Sequence, residues 1–291
     1  MMIEKIIESF LNHKQAQGYS PLTVENYMSD LNIFSDFLFH LLQKDDFTIE
    51  LLQQVDDNIL DKYLKRYPNL YTKSRKLASV KSFYKYLEDK ELVKNTHVKK
   101  YQCKKPPEIS PIKRSDFYTN EQIDRMELEC DNTKYPLRDK LILNLIRTTG
   151  MRPREVANIS IKHMNLEECK GKVKRKGGVE RPFRFSEKTR DLLREYISKN
   201  KDEIRKGNGK LFSLNYSGIY GVIRLLGQKC GIHTYPKMFR HIWASEGREK
   251  DMDILLMEEL GGWKSSKMLK RYGQISEEKE KSEYNKVWGG K

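Results

Sequence analysis

Apolar side chains recur at helical spacing through residues 1–98. Within residues 3–11 they occupy positions i, i+3, i+4, i+7 and i+8, which places them on one face of a helix. Four segments carry this kind of pattern: residues 3–11, a helix that begins at Ser20-Pro21, residues 59–67 and residues 72–87. Serine followed by proline is typical of a helix start, because proline fits the first turn. We predict a compact domain of four helices over residues 1–98.

The second half of the chain mixes helical and strand patterns. Helix signals begin at Thr119 and recur in residues 137–146, 187–197, 217–230, 236–249 and 254–260. Residues 172–174 and 182–185 predict two strands around a Lys176-Gly177-Gly178 turn, and residues 158–164 predict a loop or short turn. The predicted fold is mostly α, with an N-terminal four-helix domain and an α-rich domain over residues 116–291 that contains a small antiparallel β-sheet.

A basic, proline-containing linker over residues 99–115 is predicted between the two domains. This segment has three prolines and no apolar periodicity. Its basic residues are Lys99, Lys100, Lys104, Lys105, Lys113 and Arg114, opposed only by Glu108. Such a linker suits contact with a phosphate backbone, and lysines that merely keep a linker soluble fit the same pattern.

The charge balance favours a polyanionic partner. The 291 residues include 56 Lys and Arg against 41 Asp and Glu, a formal net charge of +15. Nucleic acid is the first candidate partner, although a lysine-rich proteome explains charge alone equally well. One face of the fourth helix is basic, and solvated lysine is again the plain alternative. Its members are Lys73, Arg75, Lys76, Lys81 and Lys85.

Other classes of protein are disfavoured. No apolar run nears the roughly 18 residues of a membrane span, and the N-terminus lacks a signal-peptide layout, so we expect a soluble, cytoplasmic protein. The cysteines, at positions 103, 130, 169 and 230, include no closely spaced pair. We therefore expect reduced thiols, with no metal site and no cofactor.

Three local patterns in the second domain bear on chemistry. Thr149-Gly150-Met151-Arg152 ends one helix and presents an arginine, a side chain suited to bidentate phosphate contact, with Glu155 able to brace it. In the second pattern, Lys237 and Arg240 share one helix face and His241 is turned aside. In the third, Gly261-Gly262-Trp263 is followed nine residues later by Tyr272. Each pattern is weak alone.

Together these patterns resemble the tyrosine recombinase (phage integrase) family, which includes the Xer recombinases. The matched positions are Arg152 with Glu155, Lys176 in the hairpin, Arg240 followed by His241, Trp263, and Tyr272. The segment Tyr19–Tyr27 and the length of the first domain are similar to the family's helical core-binding domain. Two departures stand out: an additional glycine precedes Trp263, and Lys237 occupies a position that is usually histidine.

The resemblance implies a site-specific DNA recombinase that forms a 3′-phosphotyrosyl intermediate without metal or ATP. It implies that Tyr272 is the nucleophile, that Arg152 and Arg240 stabilise the transition state, that Lys176 is the general acid, and that Trp263 contacts phosphate. A protonated lysine cannot accept a proton, so the proton acceptor for Tyr272, including a neutral Lys237, is left open. Glu155 and His241 are expected behind these residues.

The implied partners are double-stranded DNA with a specific core site and further copies of the chain. These copies form a homotetramer on that DNA and associate more weakly without it, and accessory proteins are undefined. The expected DNA contacts are Lys73, Lys76, Lys81, Lys99, Lys100, Lys104, Lys105 and Arg175. Residues 277–291 are expected to pack on a neighbouring protomer or to fold back on their own domain. The motifs fit DNA integration or excision and dimer resolution alike. Two alternatives are a type IB topoisomerase-like nicking-closing enzyme and a DNA-binding relative that has lost catalysis.

Overall fold

The computed structural model of the chain divides into two compact units, residues 1–109 and residues 110–291. The structure describes these residues: 3–42, 48–94, 96–104, 117–174, 178–263, 265–272 and 277–289. Three predicted functional residues, Lys105, Arg175 and Lys176, lie outside the described residues, as does most of the predicted linker.

The first unit is helical throughout its described elements. Its helices are α1 (Ile3–Ala16), α2 (Pro21–Leu42), α3 (Ile49–Gln53), α4 (Asp57–Lys65), α5 (Leu70–Asp89) and α6 (Thr96–Lys100). The four predicted helices are confirmed as α1, α2, α4 and α5, whereas α3 and α6, of five residues each, were not predicted. Val98 of α6 is buried in the core, and Tyr101 and Cys103, which follow the predicted boundary at residue 98, also pack against that core.

Aromatic side chains form the centre of the first unit. Phe10 lies edge-on to Phe83 with ring centroids 5.4 Å apart, and Phe34 meets Tyr63 at 4.9 Å. All four rings are buried, which matches the apolar face that the spacing predicts. The long helix α5 begins where it does because the Asn69 side chain accepts hydrogen bonds from the Tyr71 and Thr72 amides.

The second unit packs helices around a small sheet. Its helices are α7 (Asn120–Glu129), α8 (Pro136–Thr149), α9 (Pro153–Ala157), α10 (Glu187–Lys199), α11 (Lys201–Lys206), α12 (Tyr216–Lys229), α13 (Pro236–Glu249), α14 (Ile254–Gly261) and α15 (Glu277–Trp288). The strands are β1 (Met164–Asn165), β2 (Lys170–Lys174) and β3 (Glu180–Arg184). They form an antiparallel sheet in the order β1-β2-β3. The predicted hairpin is confirmed, and β1 adds two residues at the edge where only a loop or turn was predicted.

Two glycine-terminated helices bring the candidate site together. Helix α8 ends at Gly150, whose φ is +59°, and a Cβ there would lie 2.8 Å from the Trp243 ring. Gly262 caps the C-terminus of α14 and is also left-handed, while a Cβ on Gly261 would lie 1.7 Å from the Trp263 ring. A side chain is therefore sterically disfavoured at both Gly261 and Gly262, which accounts for the additional glycine before Trp263.

Within the described ranges, no helix is both long enough and apolar enough to span a bilayer.

Candidate active site

Arg152 is fixed by Glu155 at the start of α9. The Glu155 carboxylate accepts hydrogen bonds from the Arg152 backbone amide at 2.9 Å and from its guanidinium Nη1 at 3.1 Å. Arg152 Nη2 also donates to the Gly262 carbonyl at 3.4 Å. The side chain remains half-exposed, so part of the guanidinium is open to a ligand. The predicted bracing contact between Glu155 and Arg152 is present.

Glu155 forms a second, buried ion pair with Arg181 of β3. Arg181 Nη2 lies 2.7 Å from Glu155 Oε2, and Arg181 Nη1 donates to the Leu260 carbonyl. Burial raises the pKa of the Glu155 carboxyl, but the hydrogen bonds and charges of Arg181 and Arg152 outweigh burial and hold that pKa below its ordinary value. Glu155 is therefore ionised at neutral pH and shared between two arginines.

Sequence analysis did not identify Arg181 as a functional residue. Its position in the strand could have identified it. Arg181 and Phe183 are the buried positions of β3, and the residues at both ends of the strand are exposed. An arginine at an inward-facing strand position implies a buried acidic partner, because an unpaired buried charge is very costly.

Arg240 of α13 is the buried arginine of the site, with 7% of its surface exposed. Its Nη1 donates to the Gly150 carbonyl at 2.6 Å and also to the Gly261 carbonyl. Its Nη2 is buried and has no hydrogen-bond partner among the described residues. Burial, reinforced by the charge of Arg152, lowers the pKa of Arg240 to about 9. The guanidinium is thus charged at neutral pH with one donor group unused.

Tryptophan rings form the wall behind Arg240. The guanidinium carbon lies 3.7 Å from the Trp263 ring centroid, a close cation–π contact. Trp263 stacks on Trp243 with centroids 5.8 Å apart and an interplanar angle of 16°. Tyr272 meets Trp263 edge-on at 6.5 Å. Trp263 therefore contacts both the second arginine and the candidate nucleophile.

Tyr272 ends a 3-10 helix, Ser266–Tyr272, and is buried against α13. Its hydroxyl is within hydrogen-bond distance of His241 Nδ1, and the two ring centroids are 5.6 Å apart. His241, which was expected behind the catalytic residues, thus contacts the candidate nucleophile directly. The reason is positional: His241 follows Arg240 on α13, and the 3-10 helix that carries Tyr272 packs on the side of α13 that His241 faces.

Lys237 does not join this cluster. It lies exposed in the first turn of α13, and no hydrogen bond or ion pair connects it to another residue that the structure describes. Lys237 and Arg240 are one turn apart on one helix, but Arg240 points into the protein and Lys237 into solvent. The structure thus brings together Arg152, Glu155, Arg240, Trp263 and Tyr272, and adds Arg181 and direct contact from His241.

The basic residues of the first unit divide into exposed and buried members. Lys76 is buried, and its Nζ lies 2.8 Å from Asp30, so its prediction as a DNA contact is wrong. The adjacent Arg75, also paired with Asp30, is half-exposed. Lys81 donates to the Lys99 carbonyl at 3.1 Å, and Lys99 pairs with Glu88 at 3.5 Å. The remaining described members, Lys73, Lys100 and Lys104, are partly or fully exposed.

Two family models match the chain. Residues 116–279 match the model described as phage integrase family, and residues 7–91 match that of the phage integrase N-terminal SAM-like domain. The first match includes Arg152, Arg240, Trp263 and Tyr272, and together the two matches cover most of the chain.

Curated relatives are named tyrosine recombinases. The chain is 26% identical to tyrosine recombinase XerC of Leptospira interrogans over 98% of this chain and 93% of that protein. It is 31% identical to tyrosine recombinase XerA of Saccharolobus solfataricus, over 62% of this chain and 60% of that protein.

Solved structures share the fold. XerH site-specific recombinase bound to difH substrate matches with a TM-score of 0.67 at 20% identity, over 93% of this chain and 81% of that one. A lambda integrase dimer bound to a COC′ core site matches with a TM-score of 0.71 at 14% identity, over 94% and 77% of the two chains. With the sequence matches over both units and the clustered arginines and tyrosine, these likenesses lead to one conclusion: the chain belongs to the phage integrase family.

Proposed function

We propose that this protein is a site-specific DNA recombinase that cuts and rejoins duplex DNA through a 3′-phosphotyrosyl bond to Tyr272. The observation that carries the proposal is the buried, unpartnered Nη2 of Arg240 in the cluster that contains Arg152 and Tyr272. A buried charged donor is costly to leave unused, and a phosphate oxygen is the acceptor that suits it.

Tyr272 attacks the phosphorus atom, and a bond from its oxygen to phosphorus forms as the bond to the 5′ oxygen breaks. Negative charge then develops on the non-bridging oxygens, where donors fixed in advance lower the barrier most. Arg152 is held by Glu155 and Arg240 by two backbone carbonyls, so neither needs to reorganise during the reaction. Rejoining is the reverse attack by the 5′-hydroxyl of another strand.

Lys176 of the β2–β3 hairpin is the proposed general acid that protonates the leaving 5′ oxygen, on the strength of the family resemblance. Arg181, five residues further along the chain, links β3 to Glu155 and to the Leu260 carbonyl. These contacts support a hairpin that is anchored to the rest of the unit. The energy of the phosphodiester is retained in the phosphotyrosyl bond, so the proposed reaction needs neither a metal ion nor ATP. Trp263 forms the apolar wall of the phosphate site, and Lys237 is a phosphate contact from the exposed turn of α13.

DNA contacts are proposed for both units. In the first unit these are Lys73, Lys81, Lys99, Lys100 and Lys104, with Arg75 in place of Lys76. In the second unit an open cleft of 430 Å³ beside the sheet carries the basic side chains of Lys162, Lys170, Lys172 and Arg184. Lys105 and Arg175 are proposed from the sequence. Contacts of this kind go mostly to phosphate and weaken steeply with salt.

A homotetramer on DNA is the proposed working assembly, because exchange between two duplexes requires four strand cleavages. Helix α15 supports a role in assembly, since Tyr284 and Trp288 are 64% and 73% exposed on it. The proposed location is the cytoplasm, where chromosomal or mobile-element DNA is accessible. Of the two alternatives, nicking-closing activity alone is disfavoured by the match to the family's N-terminal SAM-like domain, and loss of catalysis is disfavoured by the occupied arginine and tyrosine positions.

The test is covalent trapping in EDTA. A core sequence is first enriched from a randomised DNA pool by binding to the full-length protein, and a nicked suicide duplex is built on it. We expect the protein to become covalently attached to this duplex without added Mg²⁺, and Tyr272→Phe to form no adduct while it still binds. Tyr216→Phe is the matched control, because Tyr216 is 44% exposed at the start of α12, and it is expected to form the adduct normally.

A dependence on Mg²⁺, or an adduct formed by Tyr272→Phe, contradicts the proposal.

A further inference from the structure

The proton that leaves Tyr272 needs an acceptor within reach of its hydroxyl. Tyrosine side chains ordinarily have a pKa of about 10, so an unassisted hydroxyl is a poor nucleophile at neutral pH. A general base must lie within hydrogen-bond distance of the proton that it takes. Lys237 occupies the family's usual histidine position, but it is exposed and forms no hydrogen bond with Tyr272 in the described part of the chain.

His241 satisfies that distance requirement. Its Nδ1 is the ring atom that meets the Tyr272 hydroxyl, and the tilted arrangement of the rings keeps that atom against the oxygen. Histidine can accept a proton at one ring nitrogen while the other carries one, which a protonated lysine cannot do. The side chain is half-buried on α13, next in sequence to Arg240.

We propose that His241 is the proton acceptor for Tyr272, in the place that the family's histidine three residues before the second arginine would otherwise fill. This inference rests on the proposed function. The imidazole starts neutral with its proton on Nε2. As the oxygen–phosphorus bond forms, the Tyr272 proton moves to Nδ1, and the leaving 5′ oxygen is protonated separately by Lys176. In the rejoining step the imidazolium returns the proton to the departing tyrosine oxygen.

The surrounding charges favour the ionised form of Tyr272 that this transfer produces. Helix α13 contributes Arg240, whose interaction with Tyr272 is attractive when the tyrosine is ionised. The turn after α8 contributes Arg152, and behind these lie Glu155 of α9 and Arg181 of β3. Helix α14 contributes the Gly261 carbonyl that accepts from Arg240. The net local charge of these side chains is positive, which stabilises the phenolate and disfavours a histidine that is already protonated.

The experiment compares His241→Ala and His241→Asn with the wild type in single-turnover cleavage of the suicide duplex. Asparagine can restore a hydrogen bond at the position of Nδ1, but it cannot take up a proton. His233→Asn is the matched control, because His233 is exposed before α13 and its described hydrogen bond, from Tyr118, uses only the backbone carbonyl. Each variant is also checked for duplex binding and thermal unfolding.

We expect both His241 variants to cleave about 10²–10⁴-fold more slowly than the wild type, while His233→Asn cleaves normally. Because an acceptor must be neutral, the wild-type rate should fall in acid, at pH values below the ordinary imidazole pKa of about 6.5. This acid limb should be absent from both His241 variants. Free imidazole should partly restore cleavage by His241→Ala.

A second substrate separates the two proton transfers. With a 5′-bridging phosphorothiolate the leaving sulfur needs no general acid, so the His241 variants should remain slow, whereas a Lys176→Ala variant should recover. Rescue of His241→Ala by this substrate would overturn the proposal, as would a wild-type rate in His241→Asn or an acid limb that persists in both variants. If the wild type forms no adduct, or Tyr272→Phe forms one, the proposed function fails instead.

Discussion

Two buried carboxylates, Asp30 in the first unit and Glu155 in the second, are each shared between two cations of unequal exposure. Asp30 pairs with buried Lys76, 5% exposed, and with Arg75, 51% exposed. Glu155 pairs with buried Arg181, 2% exposed, and with Arg152, 48% exposed. In each unit the buried pair holds a carboxylate that fixes a half-exposed arginine.

The two clusters differ in what lies beside the exposed arginine. Around Asp30 the further partner is the Ser79 hydroxyl, which donates at 2.7 Å. Beside Arg152 lies Arg240, with an unused donor, and the Tyr272–His241 pair. Both clusters thus contain a fixed, half-exposed arginine, and the cluster of the second unit adds a second arginine and a tyrosine to that arrangement.

The largest expected effect is the loss of stability when a buried carboxylate is neutralised. Glu155→Gln leaves Arg181 buried without its counter-charge, and such a change costs about 3–5 kcal/mol in the free energy of unfolding. The tryptophans of the chain, Trp243, Trp263 and Trp288, all lie in the second unit. Their fluorescence during urea unfolding should therefore report the loss in Glu155→Gln and remain unchanged in Asp30→Asn.

The double variant Glu155→Gln/Arg181→Met is the control, since removing both charges should recover part of the stability. A Trp-detected unfolding midpoint for Glu155→Gln equal to that of the wild type would contradict the account of this ion pair.

The next effect separates the two exposed arginines in catalysis. Arg152→Ala should slow single-turnover cleavage at saturating DNA about 10²–10³-fold, because one preorganised donor to the transition-state oxygens is lost. Arg75→Ala should leave the rate at saturating DNA unchanged, because Arg75 is proposed to contact DNA outside the reacting phosphate. Equal rate losses in the two variants would remove the distinction between the clusters.

Acid should weaken the Glu155 cluster in a defined direction. Burial raises the pKa of Glu155, but the hydrogen bond and charge of Arg181 outweigh burial and hold that pKa below its ordinary 4.5. The ionised carboxylate therefore makes its full contribution to stability above pH 4.5. That contribution is lost as the pH falls below 4.5 through the lowered folded-state pKa. Trp-detected unfolding between about pH 3 and pH 5 should therefore show a steeper loss of stability in the wild type than in Glu155→Gln. Parallel curves would contradict the ion pair.

The smallest effect distinguishes neighbouring cations on α5. Arg75→Ala should lower DNA affinity modestly and reduce the slope of log affinity against log salt by about 1. Lys76→Ala should destabilise the first unit, measured by circular dichroism, and leave the salt slope of its folded form unchanged. A lowered salt slope in Lys76→Ala would restore Lys76 as a DNA contact.

Sequence reasoning succeeded where the determining interactions are local. The bounds of α13 and of the hairpin strands follow, within a few positions, from the first-turn Pro236, the turn residues and periodicity. The order of Arg152, Arg240, Trp263 and Tyr272 carried the family resemblance for the same reason, since each motif spans a few residues.

The missed features depend on contacts between distant segments. Arg75 and Asp30 are 45 residues apart, and Arg181 and Glu155 are 26 apart. Helical periodicity places Lys76 on a basic face, but only the packing of α2 against α5 buries it on Asp30. The orientation of His241 similarly depends on where the 3-10 helix packs, which no local pattern encodes.

The central claim is tested most directly by identifying the atom that holds DNA in the trapped complex. After cleavage in EDTA, protease and nuclease digestion followed by mass spectrometry should yield one nucleotide-modified peptide, with a 3′-phosphate joined to Tyr272, and a free 5′-hydroxyl on the released strand. Attachment at any other residue, or a link to a 5′-phosphate, would contradict the assignment of Tyr272 as the nucleophile.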